Sequence, residues 1–401
     1  MAEASLPLRP AARRPRRLLP SLQSLDTTLL LSLGALLCLG LVMVASASVA
    51  VADRGGDALE LFQRQALYAA LALAAGAVAL RIPLVYWQAA STALLVFGCF
   101  LLTLVLVPGI GLEVNGARRW LPLVLFNLQV SEVARLCVLM YLAGYLVRRQ
   151  HQLHEHRRGF FIPMAVLALV AALLLAEPDF GAAAVLTAAG LAMLFIAGAP
   201  LGRFVLLILL VSGIGGLLLL TSPYRMERLT GFMNPWADPF DTGFQLTQAL
   251  IAIGRGGWFG VGLGNSVQKL FYLPEAHTDF LFSVLAEELG LAGIAVVVLL
   301  YGIAVWRTFG IAARALRAER PFGAYLAWGI GFWFGLQAFV NMGVNMGLLP
   351  TKGLTLPLMS YGGSSLVMTV VAMALVLRVD YETRIATAPA RPTGGAGGRH
   401  A

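Results

Sequence analysis

The sequence is short of charge. Only 12% of its 401 residues are Asp, Glu, Lys or Arg, about half of the ~25% found in an ordinary soluble domain. With 59% hydrophobic residues, that shortage excludes a solvated globular protein of this length. Cysteine is scarce too. Cys38, Cys99 and Cys137 all lie inside apolar runs, where a thiol behaves as a small hydrophobe. No Cys-x-x-Cys or Cys/His spacing marks a metal or redox centre. The five histidines are too few and too scattered for a metal cage, and His151, His154 and His156 share one basic loop and read as solvated. Short alternating apolar/polar segments are lacking, which excludes a β-barrel. No basic patch is interleaved with exposed aromatics, so no nucleic-acid partner is expected.

What remains is apolar sequence in runs of about 20 residues, each long enough to cross a bilayer. Ten spans are expected, at about 27–51, 66–82, 87–107, 131–147, 160–176, 181–198, 202–221, 280–305, 323–349 and 362–378. The fold class is an all-α polytopic membrane protein with a large ordered extracytoplasmic loop between the seventh and eighth helices. A basic tail covers 1–26, the transmembrane domain 27–385, and a flexible tail 386–401. Ala45-Ser46-Ala47 has the look of a signal-peptidase site, but the run from Thr27 to Val51 exceeds the ~7–15 residues of a signal h-region. It is expected to stay as the first helix.

Arginine orients the chain. Arg13, Arg14, Arg16 and Arg17 precede the first span; Arg148, Arg149, Arg157 and Arg158 follow the fourth; Arg307, Arg314, Arg317 and Arg320 are expected in the loop after the eighth. Arg378, Arg384, Arg391 and Arg399 are assigned to the tail. All belong to one side, and the positive-inside rule makes it cytoplasmic, with both termini. The net charge of +9 then faces anionic inner-leaflet lipid. The opposite loops carry most of the acids. The longest, about 222–279, is rich in Gly, Pro and aromatics such as Trp236, Phe240, Trp258 and Phe259. Disordered segments are poor in aromatics, so an ordered outer cap is expected.

Ionisable groups concentrate where that loop re-enters the membrane. "FYLPEAHTDFLFSVLAEELG" places Glu275, His277 and Asp279 at the mouth of the eighth span, with Glu287 and Glu288 inside it. Thr278 or His277 is expected to cap the helix, and an acid near its N-terminus is favoured by the dipole. Asp279 therefore reads either as a helix-end stabiliser or as a reactive carboxylate. In "NLQVSEVARL", Glu132 and Arg135 lie three apart on one helical face. Arg135 reads either as the structural partner of Glu132 or Glu287, or as a cation facing a phosphorylated lipid headgroup. "VNGARRW" sets Arg118, Arg119 and Trp120 before the fourth span, and "AEPDFG" sets Glu177 and Asp179 between spans five and six. "LLPTKGLTLPLMSYGGSS", with Lys352, links spans nine and ten; such non-helical backbone at membrane depth survives only where protein or water satisfies it.

These segments, with "GLGNSVQKLFYLPEAHTDF", occur together and in an order that resembles the SEDS family of bacterial shape, elongation, division and sporulation proteins. The resemblance spans about 27–385 and is nearer to the division member than to the elongation member. It implies ten transmembrane helices in the bacterial inner membrane, at the division septum, and a peptidoglycan glycosyltransferase that polymerises lipid II. Asp279 matches the family's catalytic aspartate and would be the general base, with His277 as the competing base. Arg119 matches the arginine of the family's "GA-x-RW" pattern. The segment from Gln129 to Arg135 matches another family motif, with Val130 replacing the usual proline and Arg135 the usual lysine. Arg119, Glu132, Arg135, Glu177, Asp179, Lys269, His277 and Lys352 form the candidate substrate-binding set. The resemblance further implies a divalent cation, Mg or Mn, with ligands unassigned, and no organic cofactor. It implies a class B penicillin-binding protein and other divisome membrane proteins as partners. A lipid II flippase or a non-catalytic scaffold are the competing readings.

Overall fold

The computed structural model describes residues 25–52, 60–114, 116–122, 127–155, 157–221, 226, 232–241, 243–270, 273–350 and 353–387. Each apolar run is a helix, as it must be where lipid offers the backbone no hydrogen-bond partner. The helices are α1 Thr27–Ala52, α2 Glu60–Arg81, α3 Leu84–Leu106, α4 Val130–Glu155, α5 Arg157–Ala176, α6 Phe180–Ile196 and α7 Leu201–Leu220. They continue with α8 Phe244–Gly256, α9 Leu281–Arg317, α10 Pro321–Asn345 and α11 Gly363–Thr387. All but α8 fall on expected spans. Among the described residues, 8 helices are long and apolar enough to cross a membrane, and α6, with 17 residues, is a shorter apolar one.

Several helices outrun their apolar sequence on the arginine-rich side. His151 and His154 ride on the last turns of α4 rather than in a loop, past a local distortion at Arg149. Arg307, Arg314 and Arg317 lie on α9, and Arg378 and Arg384 on α11, where loop and tail were expected. Buried carboxylates account for the extension. Asp26, just before α1, is bonded by Arg307 and lies 3.4 Å from Arg314 and 3.6 Å from Arg384. Asp380 takes Arg314 at 3.0 Å and Arg384 at 2.8 Å. Glu382 takes Arg320 at 2.9 Å and Arg378 at 2.8 Å, and accepts the first amide of α3 from Leu84. Exposed ion pairs are worth little, but these acids are enclosed and each is shared.

α2 packs on α11, α3 on α4, and α9 on both α1 and α10. Small residues allow close approach, as at Gly144 against Ser91 and Gly329 against Met193. The departure from an all-helical chain is a three-stranded antiparallel sheet between α3 and α4. It comprises β1 Leu112–Val114, β2 Ala117–Pro122 and β3 Asn127–Gln129. The tight β1–β2 turn uses Gly116 at φ +72°, the left-handed conformation such turns require. Glu113 faces Arg118 across it, and Trp120 faces Gln129 across β2–β3.

The N-terminal part of α9 is built around a break. Gly290 has φ 65° and ψ −162°, so the helical ladder is interrupted there. The freed groups find partners in the loop after α8. Val261 and Gly262 donate to the carbonyls of Glu287 and Glu288, and Leu291 and Ala292 donate to those of Gly257 and Trp258. The two backbones touch. A Cβ on Gly290 would lie 2.4 Å from the Gly260 nitrogen, and one on Gly256 would lie 1.9 Å from the Ala286 oxygen.

Side-chain strain and lost cross-bonds together make Gly290→Ala costly, on the order of 2–3 kcal/mol. Its thermal unfolding midpoint in detergent should fall well below that of the parent. Gly302→Ala, on the same helix with nothing within 4 Å of its added Cβ, should leave the midpoint unchanged or raise it.

Candidate active site

Asp279 sits in the turn that ends at α9, half-buried. The capping expected of Thr278 or His277 does not occur. Phe280 is the N-cap residue and makes no side-chain cap bond, and the Thr278 hydroxyl turns back to Glu275 at 2.8 Å. Residues 277–279 are held instead through their carbonyls. The Ser360 hydroxyl donates to Thr278 O at 2.6 Å, and Tyr361 N donates to His277 O at 2.9 Å. Two amides from α10, Asn341 Nδ2 and Asn345 Nδ2, both donate to Asp279 O at 2.9 Å. Asn345 Oδ1 then accepts from the Ser283 amide and hydroxyl one turn into α9. The Asp279 side chain is thereby pointed at the backbone of Gly353, whose missing Cβ would lie 3.3 Å from Oδ2.

Asn341 and Asn345 continue a stripe with Gln337 on one face of α10, all three buried. Gln337 Nε2 donates to Thr355 O at 3.0 Å and Asn341 Nδ2 to Leu354 O at 2.6 Å. Gln65 of α2 serves Ser360 O and Gly362 N. The non-helical stretch 353–362 therefore has the protein partners that its depth demands. The sequence reading missed this amide stripe. Its i, i+4, i+8 spacing in "QAFVNMGVN" is the signal that would have found it.

Arg119, on β2, reaches the turn between α5 and α6. Its Nε donates to Glu177 O at 3.0 Å and its Nη2 to Pro178 O at 2.7 Å. Asp179 caps α6, accepting from Ala182 N at 3.1 Å. Both carboxylate oxygens of Glu177 and the second oxygen of Asp179 are buried without a hydrogen-bond partner. Burial, reinforced by the Asp179 charge and opposed by Arg119, pushes Glu177 up to about 8. The same balance acts on Asp279. Burial and the Glu275 charge raise it, Arg119 opposes, Asp179 adds to the rise, and it titrates at about 7. His277 is shifted the other way: burial lowers it, with Glu275 opposing. Arg119, Glu177, Asp179 and Asp279 thus form one electrostatic cluster at the mouth of α9.

The other candidates are placed differently. Glu132 and Arg135 pair with each other at 3.3 Å inside α4, both almost fully buried. Arg135 Nη1 also donates to Gln337 Oε1 at 2.5 Å, and its guanidinium lies 5.2 Å from the Trp333 ring centre. Glu287 is not its partner; that carboxylate holds Arg255, Ser266 and the amides of Val267 and Gln268. Lys269, expected among the substrate-binding residues, is buried elsewhere, donating to Glu288 Oε1 at 2.6 Å and Ser46 Oγ at 2.8 Å. Lys352 lies outside the described residues. Among the described residues, no group of three or more His, Cys, Asp or Glu is arranged to hold a metal ion.

A half-buried carboxylate titrating near neutrality, with a guanidinium close by, can accept a proton while positive charge is offered to a leaving anion. Comparison with known proteins bears on which reaction this serves. Residues 27–385 match the family model for the cell cycle proteins FtsW, RodA and SpoVE. A probable peptidoglycan glycosyltransferase FtsW from Thioalkalivibrio sulfidiphilus is 63% identical over 380 residues, covering 94% of this chain and 95% of that protein. A protein of the same description from Legionella pneumophila is 50% identical, covering 92% and 93%. A solved chain from work on structural coordination of polymerization and crosslinking by a peptidoglycan synthase complex superposes with a TM-score of 0.73. It is 30% identical and covers 90% of this chain and 98% of its own. The crystal structure of the rod shape determining protein RodA of Thermus thermophilus gives 0.66, at 30% identity and the same coverage.

The Glu132–Arg135 geometry makes a stability prediction. Arg135→Ala leaves Glu132 buried and unpaired and should cost about 3–5 kcal/mol. Adding Glu132→Gln should recover a substantial part of the loss in a thermal-unfolding comparison. Equal midpoints for the parent and Arg135→Ala would mean that the pair carries no stability.

Proposed function

This chain belongs to the cell cycle protein family of FtsW, RodA and SpoVE and is a peptidoglycan glycosyltransferase, and from that premise we propose that Asp279 is the general base of glycan polymerisation. The observation that carries this reading is the Asp279 carboxyl, clamped through its own carbonyl by Asn341 and Asn345 and titrating at about 7. The substrate is lipid II: a disaccharide-pentapeptide on a polyprenyl diphosphate. The 4-hydroxyl of an incoming lipid II attacks the anomeric carbon at the lipid-linked end of the growing strand. As the new C–O bond forms, the hydroxyl proton passes to an Asp279 carboxylate oxygen. The bond from the anomeric carbon to the diphosphate breaks, and polyprenyl diphosphate leaves with the electron pair.

Burial strengthens Asp279 as a base while leaving a large fraction ionised near neutral pH, and a positioned base contributes about 10²–10⁴-fold. Arg119 acts electrostatically on Asp279, and it offsets charge on the leaving diphosphate. Glu177, largely protonated at neutral pH, adds little negative charge to oppose it. A divalent cation, Mg or Mn, would be held by one or two of the carboxylates of Glu177, Asp179 and Asp279 and would supply further positive charge beside the leaving diphosphate. No step above passes through it. Arg135, paired with Glu132 within α4, acts through Gln337 on the 353–362 stretch, and Asp179 acts from the N-cap of α6.

The enzyme works in the bacterial inner membrane at the division septum, with both termini cytoplasmic and Asp279 on the outer face. Its product is crosslinked by a class B penicillin-binding protein, within a larger assembly of division proteins. The relative's complex that couples polymerization to crosslinking supports this pairing.

With labelled lipid II and the crosslinking partner present, Asp279→Asn should remain folded and lose polymerisation by at least about 100-fold. Since the base must be ionised, kcat/KM of the parent should rise with pH through a midpoint of about 7. Near-parental polymer from the Asn variant would remove Asp279 from this role. Orientation is tested separately. In intact spheroplasts, a cysteine at position 155 should resist an impermeant thiol reagent and one at 240 should react. The reverse labelling would place the site on the wrong face.

A further inference from the structure

After α8 the chain makes a tip, residues 257–263, that the sequence assigns to an extramembrane loop. Its backbone is joined to the break in α9. Leu291 N donates to Gly257 O at 2.9 Å and Ala292 N to Trp258 O at 3.1 Å. Val261 N and Gly262 N donate to Glu287 O and Glu288 O at 3.0 and 3.1 Å. The tip therefore lies at the level of Gly290, and two internal rulers give that level.

Both rulers start from the Asp26–Arg307 ion pair. Along α1, Asp26 to Ser46 is a rise of about 30 Å at ~1.5 Å per residue, and the Ser46 hydroxyl bonds Glu288 at 2.6 Å. Along α9, Arg307 back to Gly290 is a rise of about 25 Å. A hydrocarbon core is about 30 Å thick. With the Asp26–Arg307 pair at one edge, the first ruler puts the tip at the other edge and the second about 5 Å inside it, on the side of Asp279.

The side chains at this level are apolar and turned outward. Trp258 is 73% exposed, Phe259 84% and Leu263 56%. Leu291, Val296 and Leu299 of α9, within a candidate membrane span, are exposed as well. The cation beside them, Arg255, is turned to Glu287 at 3.2 Å. Aromatic rings at such a boundary sit where headgroups meet acyl chains.

We propose that residues 257–263 are a membrane anchor, in which Trp258, Phe259 and Leu263 enter the acyl-chain boundary of the leaflet facing the active site. The occupant of this surface is bilayer lipid. The anchor is bonded to the outer part of α9, which follows directly on Asp279. It thereby sets the height of Asp279 relative to the leaflet surface, where a lipid-linked diphosphate resides.

The test uses the full chain in proteoliposomes, with Cys38, Cys99 and Cys137 replaced by Ala. Single nitroxide labels are placed at 259 and at 263, with references at 299 on lipid-facing α9 and at 113 in the β1–β2 hairpin. Collision rates are read with oxygen and with a water-soluble nickel chelate. Both tip labels should show oxygen collision like that at 299, with nickel collision at least about fivefold below that at 113, as for a group within hydrocarbon. Nickel access like that at 113 overturns the anchor. Shielding from both reagents also overturns it, because protein and not lipid would then cover the tip. Two label positions guard against one variant failing to fold, and neither readout depends on polymerisation.

Discussion

The half of the molecule that carries Asp279 depends on one exchange of hydrogen bonds. Where α9 breaks at Gly290, its freed carbonyls and amides are taken up by the loop after α8. An interrupted helix in lipid is tolerated only when something replaces the missing ladder, and here the replacement is backbone from elsewhere in the chain. Glu287 and Glu288 flank the break and reinforce it: one collects Ser266 and two amides, the other Lys269 and Ser46. Two acids inside an apolar span thus act as anchors for a loop. That loop in turn leads back to the turn carrying Asp279.

The same economy of polar groups runs through α10. Gln337, Asn341 and Asn345 satisfy backbone that has no helical partner, and in doing so they fix Arg135, the 353–362 stretch and Asp279 relative to one another. Amides suit this task because each offers donor and acceptor together without the desolvation cost of a charge. The ionised groups are left for the mouth of the site. There Arg119 faces a cluster of carboxylates whose mutual repulsion and burial raise Asp279 and Glu177 to near-neutral titration.

Much of this was legible in the sequence. Apolar runs mark the helices because a bilayer admits little else, and Asp279, Arg119, Glu177 and Asp179 belong to the larger candidate set that the family resemblance implies. Helix ends on the arginine-rich side were misread, since Asp26, Asp380 and Glu382 stabilise helical arginines that hydropathy alone assigns to loops. The small sheet was missed although Asn115-Gly116 is a strong hairpin signal. Lys269 was grouped with the site by motif proximity, whereas its partners Ser46 and Glu288 come from α1 and α9. The bond to Ser46 spans 223 positions, and periodicity within a window does not register it.

That distance has a consequence for how the chain is made. Asp26 is bonded to Arg307 across 281 positions of sequence, and Ser46 to Glu288 across 242. At a synthesis rate of roughly 5–20 residues per second, about 15–60 s separate the emergence of Asp26 from that of its partner. Throughout that interval Asp26 has its local bond from Leu29 N but neither it nor Ser46 has its long-range partner. Water at the near surface can host Asp26, but Ser46 must wait near the far edge of the bilayer. The earliest span is therefore among the last to be fully seated, and biogenesis of the whole domain closes from its C-terminal helices back onto its first.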